Sequence, residues 1–127
     1  TLPARKLSHL YPFGSWFGSG ISVVGSSDSP VVEANPLAGI YAAVTRKTES
    51  GQVISPRERV CAREALAMYT MGAAYSAFEE DTKGSVTPGK LADLVVLSAD
   101  LLEVPPERIK EIRLLMTIIG GKVVWEV

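Results

Sequence analysis

The chain has 127 residues, which is enough for one domain with a modest hydrophobic core. Its formal net charge is -1 without a basic stripe, so no nucleic-acid partner is expected, and no apolar run is long enough to cross a bilayer. The single cysteine, Cys61, excludes an internal disulfide and a metal site built from cysteine pairs. A reducing, cytoplasmic location fits this cysteine usage, and no membrane contact is expected.

Hydrophobic residues make up 46% of the chain, a high share for a soluble domain. Surplus apolar surface of this kind usually contacts a partner, a second copy or another part of the same chain. The sequence begins at Thr1 without an initiator methionine, a hint that it belongs to something longer. We therefore expect either self-association or packing against a missing N-terminal part.

The first third of the chain predicts two helices with a strand between them. Residues 12–17 favour a short helix, and residues 21–24 favour a short buried strand because their apolar side chains are β-branched and turn residues follow. Asn35 and Pro36 are typical of an N-cap and a first helical position. The apolar stripe that follows ends near Arg46, where a cation suits a helix C-terminus.

A second helical region is predicted to begin at a capping box formed by Ser55 and Glu58. One face of this helix is apolar and includes Cys61, which we expect to be a small core residue because no histidine lies nearby in sequence. The helix is expected to break and restart near Thr70.

The end of the chain predicts β-structure. Residues 94–97 form a short apolar run, and a brief helix is predicted to begin at Pro105. Residues 114–119 and 122–127 are β-rich and flank a Gly-Gly pair, which is a good hairpin signal. The chain is therefore expected to be α/β, helical in its middle and β at its end.

Asp28 is the most suggestive candidate for chemistry, since it directly follows the predicted strand of residues 21–24. Carboxylates at the C-terminal ends of such strands often line active sites. The alternative is that Asp28 caps a turn through its own side chain, and local spacing alone favours this alternative. Asp93 precedes a strand and is expected to end a turn.

The other sequence patterns do not indicate a particular reaction. His9 is the only histidine, and together with Asp28 it cannot complete a zinc site, which usually takes at least three protein ligands. The glycines of residues 14–25 match neither a phosphate-binding loop nor a dinucleotide fingerprint, and no nucleophile elbow surrounds any serine.

Four stretches taken together resemble motifs of the metal-dependent amidohydrolase superfamily, in matching order and spacing. They are VGSSDSPV (residues 24–31), ALAMYTMGAA (65–74), GSVTPGKLADLVVL (84–97) and TIIGGKVVW (117–125). The chain is similar to the subgroup related to N-substituted formamide deformylase. The resemblance covers nearly the whole chain, but only the C-terminal portion of the family pattern.

The resemblance implies a fold and a division of the chain. Residues 1–83 would form the last part of a (β/α)8 metal-dependent hydrolase barrel, namely its last strand and helices. Residues 84–127 would supply the C-terminal strands of a composite β-sandwich domain. The family's histidine ligands would lie upstream and are not in this sequence.

The resemblance also implies a function for the full-length parent. The parent would be a metal-dependent amidohydrolase that hydrolyses a non-peptide C–N bond in a small-molecule amide. Asp28 would be both a metal ligand and the proton acceptor for the attacking water, with a divalent metal, expected to be zinc, as cofactor. This chain alone would lack the metal and the activity. The alternative is an isolated, non-catalytic fragment or module that self-associates.

Overall fold

The computed structural model of the chain describes residues 4–7 and 9–127. In the described residues, five α-helices and one 3-10 helix precede a sheet of three strands, and a second 3-10 helix lies between its first two strands. The elements in chain order are α1 (Ala4–Leu7), α2 (Phe13–Gly18), α3 (Pro36–Thr45), a 3-10 helix (Pro56–Glu58), α4 (Ala62–Tyr69), α5 (Met71–Ser76), β1 (Leu94–Leu97), a second 3-10 helix (Pro106–Glu111), β2 (Leu114–Ile119) and β3 (Lys122–Glu126). This arrangement confirms the predicted α/β class.

Helix α3 begins where the sequence predicts. The Asn35 side-chain oxygen accepts a hydrogen bond of 3.1 Å from the backbone N–H of Leu37, and Pro36 occupies the first turn. Such a cap satisfies one of the free N–H groups that every helix start leaves. Ile40 and Val44 of the predicted stripe are buried in the core.

Arg46 follows α3 in the left-handed conformation, but it does not act as an exposed terminal cation. Its guanidinium donates to the carbonyls of Leu10, at 2.6 Å, and Ile54, at 3.2 Å, and it lies over the Phe13 ring. Burial lowers the pKa of Arg46, and the charge of Glu58 opposes this shift. Arg46 therefore ties the residues before α2 to the loop after α3.

The capping box predicted at Ser55 and Glu58 is not formed, so its predicted position is wrong. Ser55 lies in the left-handed region, its hydroxyl donates to the carbonyl of Leu7, and only one 3-10 turn follows it. The box is made instead by Cys61 and Glu64: the thiol sulfur accepts from the Glu64 N–H, and the Glu64 carboxylate accepts from the Cys61 N–H at 2.8 Å. Because its side chain turns back over the first turn of α4, Cys61 is exposed, and its predicted core position is also wrong.

The helical region breaks at Thr70, as predicted, and α5 starts at the next residue. Ala65 and Met68 of α4 are buried against α3 and the residues that follow β1. The buried residues form one cluster: Val23, Ile40, Ala43, Val44, Val60, Ala65, Met68, Leu101, Ile109 and Ile112.

Strands β1, β2 and β3 form an antiparallel sheet in that order. Thr117 pairs with Val95 on one side and with Trp125 on the other. The turn between β2 and β3 contains Gly120 and Gly121, both with positive φ, so the predicted hairpin is confirmed. No helix in the described ranges is long and apolar enough to span a bilayer.

The predicted strand at residues 21–24 is wrong for the part of the chain that the structure describes. This segment pairs with no other strand there, and only Val23 is buried, whereas Ile21 is 50% exposed and Val24 is 42% exposed. A β-strand needs a neighbouring strand for its backbone hydrogen bonds. Here residues 23–25 pack against the junction of α4 and α5 instead. The barrel, the composite sandwich and the boundary after residue 83 stay predictions.

Candidate functional site

Asp28 lies at an exposed turn that follows the extended segment of residues 21–27. Its φ angle is 51°, and its carbonyl accepts a hydrogen bond of 2.9 Å from the N–H of Val31. A cis peptide bond joins Ser29 to Pro30 in the same turn. Asp28 thus has a turn-forming backbone and a side chain directed away from the core.

The turn is capped by serines rather than by Asp28. The hydroxyl oxygen of Ser26 accepts from the N–H of Asp28, and that of Ser27 accepts from the N–H of Ser29, each at 3.2 Å. The Asp28 carboxylate forms no hydrogen bond or ion pair with any residue in the described ranges 4–7 and 9–127. The side-chain cap expected from spacing alone is therefore not formed, and both carboxylate oxygens are open to a ligand.

The segment that leads to Asp28 is fixed by a backbone contact with α4. The N–H of Gly25 donates a hydrogen bond of 3.0 Å to the carbonyl of Met68. Because α4 ends at Tyr69, the carbonyl of Met68 is among the terminal carbonyls that lack a partner within the helix. Gly25 therefore satisfies the end of α4, and α4 in turn fixes Gly25 three residues before Asp28.

Three glycines allow close contacts around this segment. A Cβ atom on Gly25 would lie 2.5 Å from Cζ of the Tyr69 ring. One on Gly39 of α3 would overlap the Tyr69 hydroxyl oxygen and lie 2.8 Å from Cζ. A Cβ atom on Gly72 of α5 would lie 2.5 Å from the carbonyl oxygen of Val23. Real Cβ atoms essentially never come this close to other atoms, so the Tyr69 ring fills the space between α3 and the segment.

Tyr69 is partly buried, and its hydroxyl oxygen is the atom that comes closest to Gly39 of α3. Burial raises the pKa of the Tyr69 phenol above its usual value of 10.0. The side chain is therefore a neutral phenol at pH 7, and its contribution is the shape of its ring.

The other predicted candidates do not join Asp28. His9 is exposed in a turn after α1, and Cys61 caps α4. Asp93 directly precedes β1, outside the turn that was predicted to end there, and its carboxylate contacts the β2–β3 hairpin. Among the described residues no three side chains of the His, Cys, Asp and Glu types come together. Since a metal centre usually takes at least three protein ligands, these residues fit a metal ion only through the single open carboxylate of Asp28.

Two concave surfaces lie near the segment, and neither includes Asp28. A groove of about 590 Å³ separates α4 and α5 from the start of β1, and it contains the ion pair of Glu79 and Lys83 at 2.9 Å. The hydrogen bond that Lys83 donates to the Glu79 carboxylate raises the pKa of Lys83. A smaller hollow of about 300 Å³ lies between Val23 and α5 and is mostly apolar.

Tyr69 and its glycine contacts were missed from the sequence. The available signal was Gly39, a glycine in the middle of a predicted helix. Glycine there is less favourable than alanine by about 1 kcal/mol, so it often marks a close approach of another group. Nothing in local sequence, however, tells which side chain makes that approach.

The profile of the amidohydrolase family matches residues 2–125, and the chain belongs to this family. It is 33% identical over 117 residues to N-substituted formamide deformylase of Arthrobacter pascens and 30% identical over 124 residues to the putative amidohydrolase YtcJ of Bacillus subtilis (strain 168). These alignments cover 92% and 95% of the chain but only 22% and 23% of the relatives. The chain thus spans less than a quarter of the length of these curated relatives.

Solved structures agree with this assignment. An uncharacterized metal-dependent hydrolase from Pyrococcus horikoshii OT3 matches with a TM-score of 0.71 and 26% identity, over 84% of this chain and 22% of that one. An amidohydrolase from Thermotoga maritima MSB8 matches with a TM-score of 0.70, over 95% of this chain and 26% of that one, and its 20% identity indicates the fold alone. The predicted family resemblance is confirmed.

Proposed function

We propose that the chain is the C-terminal part of a metal-dependent amidohydrolase that hydrolyses a non-peptide C–N bond in a small-molecule amide. Family membership supports the hydrolase class, and a relative named for the deformylation of N-substituted formamides supports an amide-like substrate. A structural neighbour described as a metal-dependent hydrolase supports a divalent metal, with zinc as the expected ion. In this proposal residues 1–83 belong to the barrel and residues 84–127 to the sandwich.

The open carboxylate of Asp28 is the observation that carries the proposal for this chain. It lies at the end of an extended segment, its backbone is held by serine caps, and its oxygens have no partner in the described part of the chain. A carboxylate on a rigid support can be held at one position relative to a substrate. Asp28 is therefore suited to provide one metal ligand, with the remaining ligands outside this chain.

The proton transfers follow from the chemistry of amide hydrolysis. A bound divalent metal would supply a Lewis acid that makes water a better nucleophile at neutral pH. Asp28 would accept the proton from the attacking water as the C–O bond forms. It would then donate that proton to the leaving nitrogen as the C–N bond breaks, so that an amine leaves and a carboxylic acid is formed.

The test uses the full-length protein that contains this chain, with N-substituted formamides as first substrates. We expect Asp28→Asn to keep the fold and to lower kcat by about 100- to 10,000-fold, the usual contribution of a positioned acid–base group. Asp81→Asn is the matched control, because Asp81 is also exposed in a turn. A kcat of Asp28→Asn equal to that of the control contradicts the role of Asp28.

A second candidate, a self-associating module without activity of its own, is favoured by exposed apolar side chains on the sheet. Val95 is 60% exposed and Ile119 is 57% exposed, and every residue of β3 is exposed. Patches of this kind mark interaction surfaces. In this reading the isolated 127-residue chain forms oligomers and hydrolyses no amide. Sedimentation of the chain as a monomer, or turnover by it, contradicts this candidate.

A further inference from the structure

The Tyr69 side chain contacts two backbone segments. Its ring contacts Gly25, in the segment that leads to Asp28, and its hydroxyl contacts Gly39, in the middle of α3. Neither glycine has room for even a methyl group on the side of the ring. The ring therefore sets the distance between α3 and the segment, and an aliphatic side chain of smaller width would leave that distance unfixed.

The segment has two further contacts, and both involve backbone atoms near the end of α4. Gly25 donates to the carbonyl of Met68, and the carbonyl of Val23 lies against the α-carbon side of Gly72. These two backbone contacts fix where the segment lies along α4, and the Tyr69 ring fixes its distance from α3. Together the three contacts hold the backbone at Gly25 in place.

The position of the backbone at Gly25 determines the position of Asp28, because the two residues are close in sequence. Only two residues, Ser26 and Ser27, separate Gly25 from Asp28, and the hydroxyls of both serines hold the turn. A shift of the backbone at Gly25 therefore moves the carboxylate by a similar amount. In a reaction that depends on geometry, misplacement by about 1 Å costs on the order of 100-fold in rate.

We propose that Tyr69 is a positioning residue for Asp28: its side chain, whose ring contacts Gly25 and whose hydroxyl contacts Gly39, holds the Asp28 carboxylate at its working position. The inference rests on the proposed function, in which Asp28 is the proton acceptor. The three atoms nearest to a Cβ on Gly25 are all ring carbons, whereas the hydroxyl is the atom nearest to Gly39. The ring is therefore the part of Tyr69 that acts on the segment before Asp28.

The first experiment measures kcat and KM for three variants in the full-length protein. Tyr69→Phe keeps the ring, so we expect kcat within about 3-fold of the wild type, well inside the effect of a 1 Å displacement. Tyr69→Leu removes the ring, so we expect kcat to fall by about 10- to 100-fold with little change in KM. Ile109→Val is the stability control, because Ile109 is fully buried in the 3-10 helix Pro106–Glu111 and is not part of the segment.

A second experiment tests the contact itself rather than the side chain. Gly25 does not have a positive φ angle, so alanine is tolerated by its backbone, and the only obstacle is the Tyr69 ring. We expect Gly25→Ala to lower kcat and the double variant Gly25→Ala, Tyr69→Leu to recover part of that loss. Such recovery is non-additive coupling between residues in direct contact.

Three outcomes overturn the inference: a wild-type kcat for Tyr69→Leu, an equal kcat loss in Ile109→Val at equal Tm loss, or strictly additive effects in the double variant. Asp28→Asn separates this failure from failure of the proposed function. If Asp28→Asn is inactive and Tyr69→Leu is fully active, only the positioning role fails. If Asp28→Asn is fully active, the proposed function itself fails.

Discussion

The carboxylate of Asp93 accepts a hydrogen bond of 2.8 Å from the backbone N–H of Gly120, 27 residues further along the chain. The neighbouring N–H of Gly121 donates to the carbonyl of Ala92 at 3.0 Å. The start of β1 is thus joined to the turn of the β2–β3 hairpin by two bonds. Asp93 therefore has a structural role in the sheet.

We expect Asp93→Ala to destabilise the sheet, because the Gly120 N–H then loses a charged acceptor. Hydrogen bonds to charged groups contribute about 1.5–3 kcal/mol, and the exposure of Asp93 reduces this to about 1 kcal/mol or less. Asp93→Asn keeps an acceptor oxygen and should retain most of the stability. The measurement is the urea midpoint, with Asp81→Ala as control. A midpoint for Asp93→Ala equal to that control contradicts the role.

The parts of the fold that were predictable from sequence depend on local chemistry. Asn35 with Pro36 predicts the start of α3, and the Gly120-Gly121 pair predicts the hairpin, because caps and tight turns are made by neighbouring residues. The predicted strand near Val23 fails for the opposite reason. Apolar, β-branched residues do not form a strand unless another strand lies beside them, and that is a property of the tertiary structure.

The same distinction applies to the candidate site. Asp28 was found because its motif is local, within eight residues of sequence. The contacts of Tyr69 with Gly25 and Gly39 join residues 44 and 30 positions apart, so no local pattern shows them. The misplaced capping box near Ser55 is an error of a different kind. The Ser55 hydroxyl donates to Leu7 and the Glu58 carboxylate accepts from Ser15, so this pair forms tertiary contacts, and the capping box is formed by Cys61 and Glu64.

Glu58 gives a prediction about pH. Its carboxylate accepts from the N–H and from the hydroxyl of Ser15, each at 2.8 Å, and so joins α2 to the 3-10 helix Pro56–Glu58. The backbone bond from Ser15, then its hydroxyl bond, lowers the pKa of Glu58 below its usual 4.5. Because the folded pKa is the lower one, this stabilisation is fully present above about pH 4.5 and is lost as pH falls through the folded pKa.

In the wild type, Glu58 gains a proton on unfolding between about pH 5 and pH 3, and Glu58→Gln removes this proton uptake. We therefore expect Tm to fall less steeply with decreasing pH in Glu58→Gln, and the difference in slope to be about that of one titrating group. Glu49→Gln is the control, since Glu49 is exposed in the loop after α3 and makes no hydrogen bond with any described residue. The prediction is contradicted if the Tm of Glu58→Gln and the Tm of the wild type fall equally steeply between about pH 5 and pH 3.

Whether Gly39→Ala stabilises or destabilises the protein is predicted to depend on Tyr69. In the middle of a helix, Gly→Ala normally stabilises by about 1 kcal/mol. In α3 the new methyl group would overlap the Tyr69 hydroxyl, and the ring that carries this hydroxyl is itself in contact with Gly25. We expect Gly39→Ala to destabilise the protein by about 1–3 kcal/mol, the usual range for overpacking.

The same substitution in a Tyr69→Leu background should have the opposite sign, because the obstructing ring is gone and only the helix propensity of alanine remains. The measurement is the free energy of unfolding for the wild type, both single variants and the double variant. A coupling energy larger than about 0.5 kcal/mol establishes that Gly39 and Tyr69 interact, since the stability changes of independent sites are additive within that margin. A stabilising Gly39→Ala in the wild-type background contradicts the close approach of Tyr69 to α3, and with it the contact that holds the segment before Asp28.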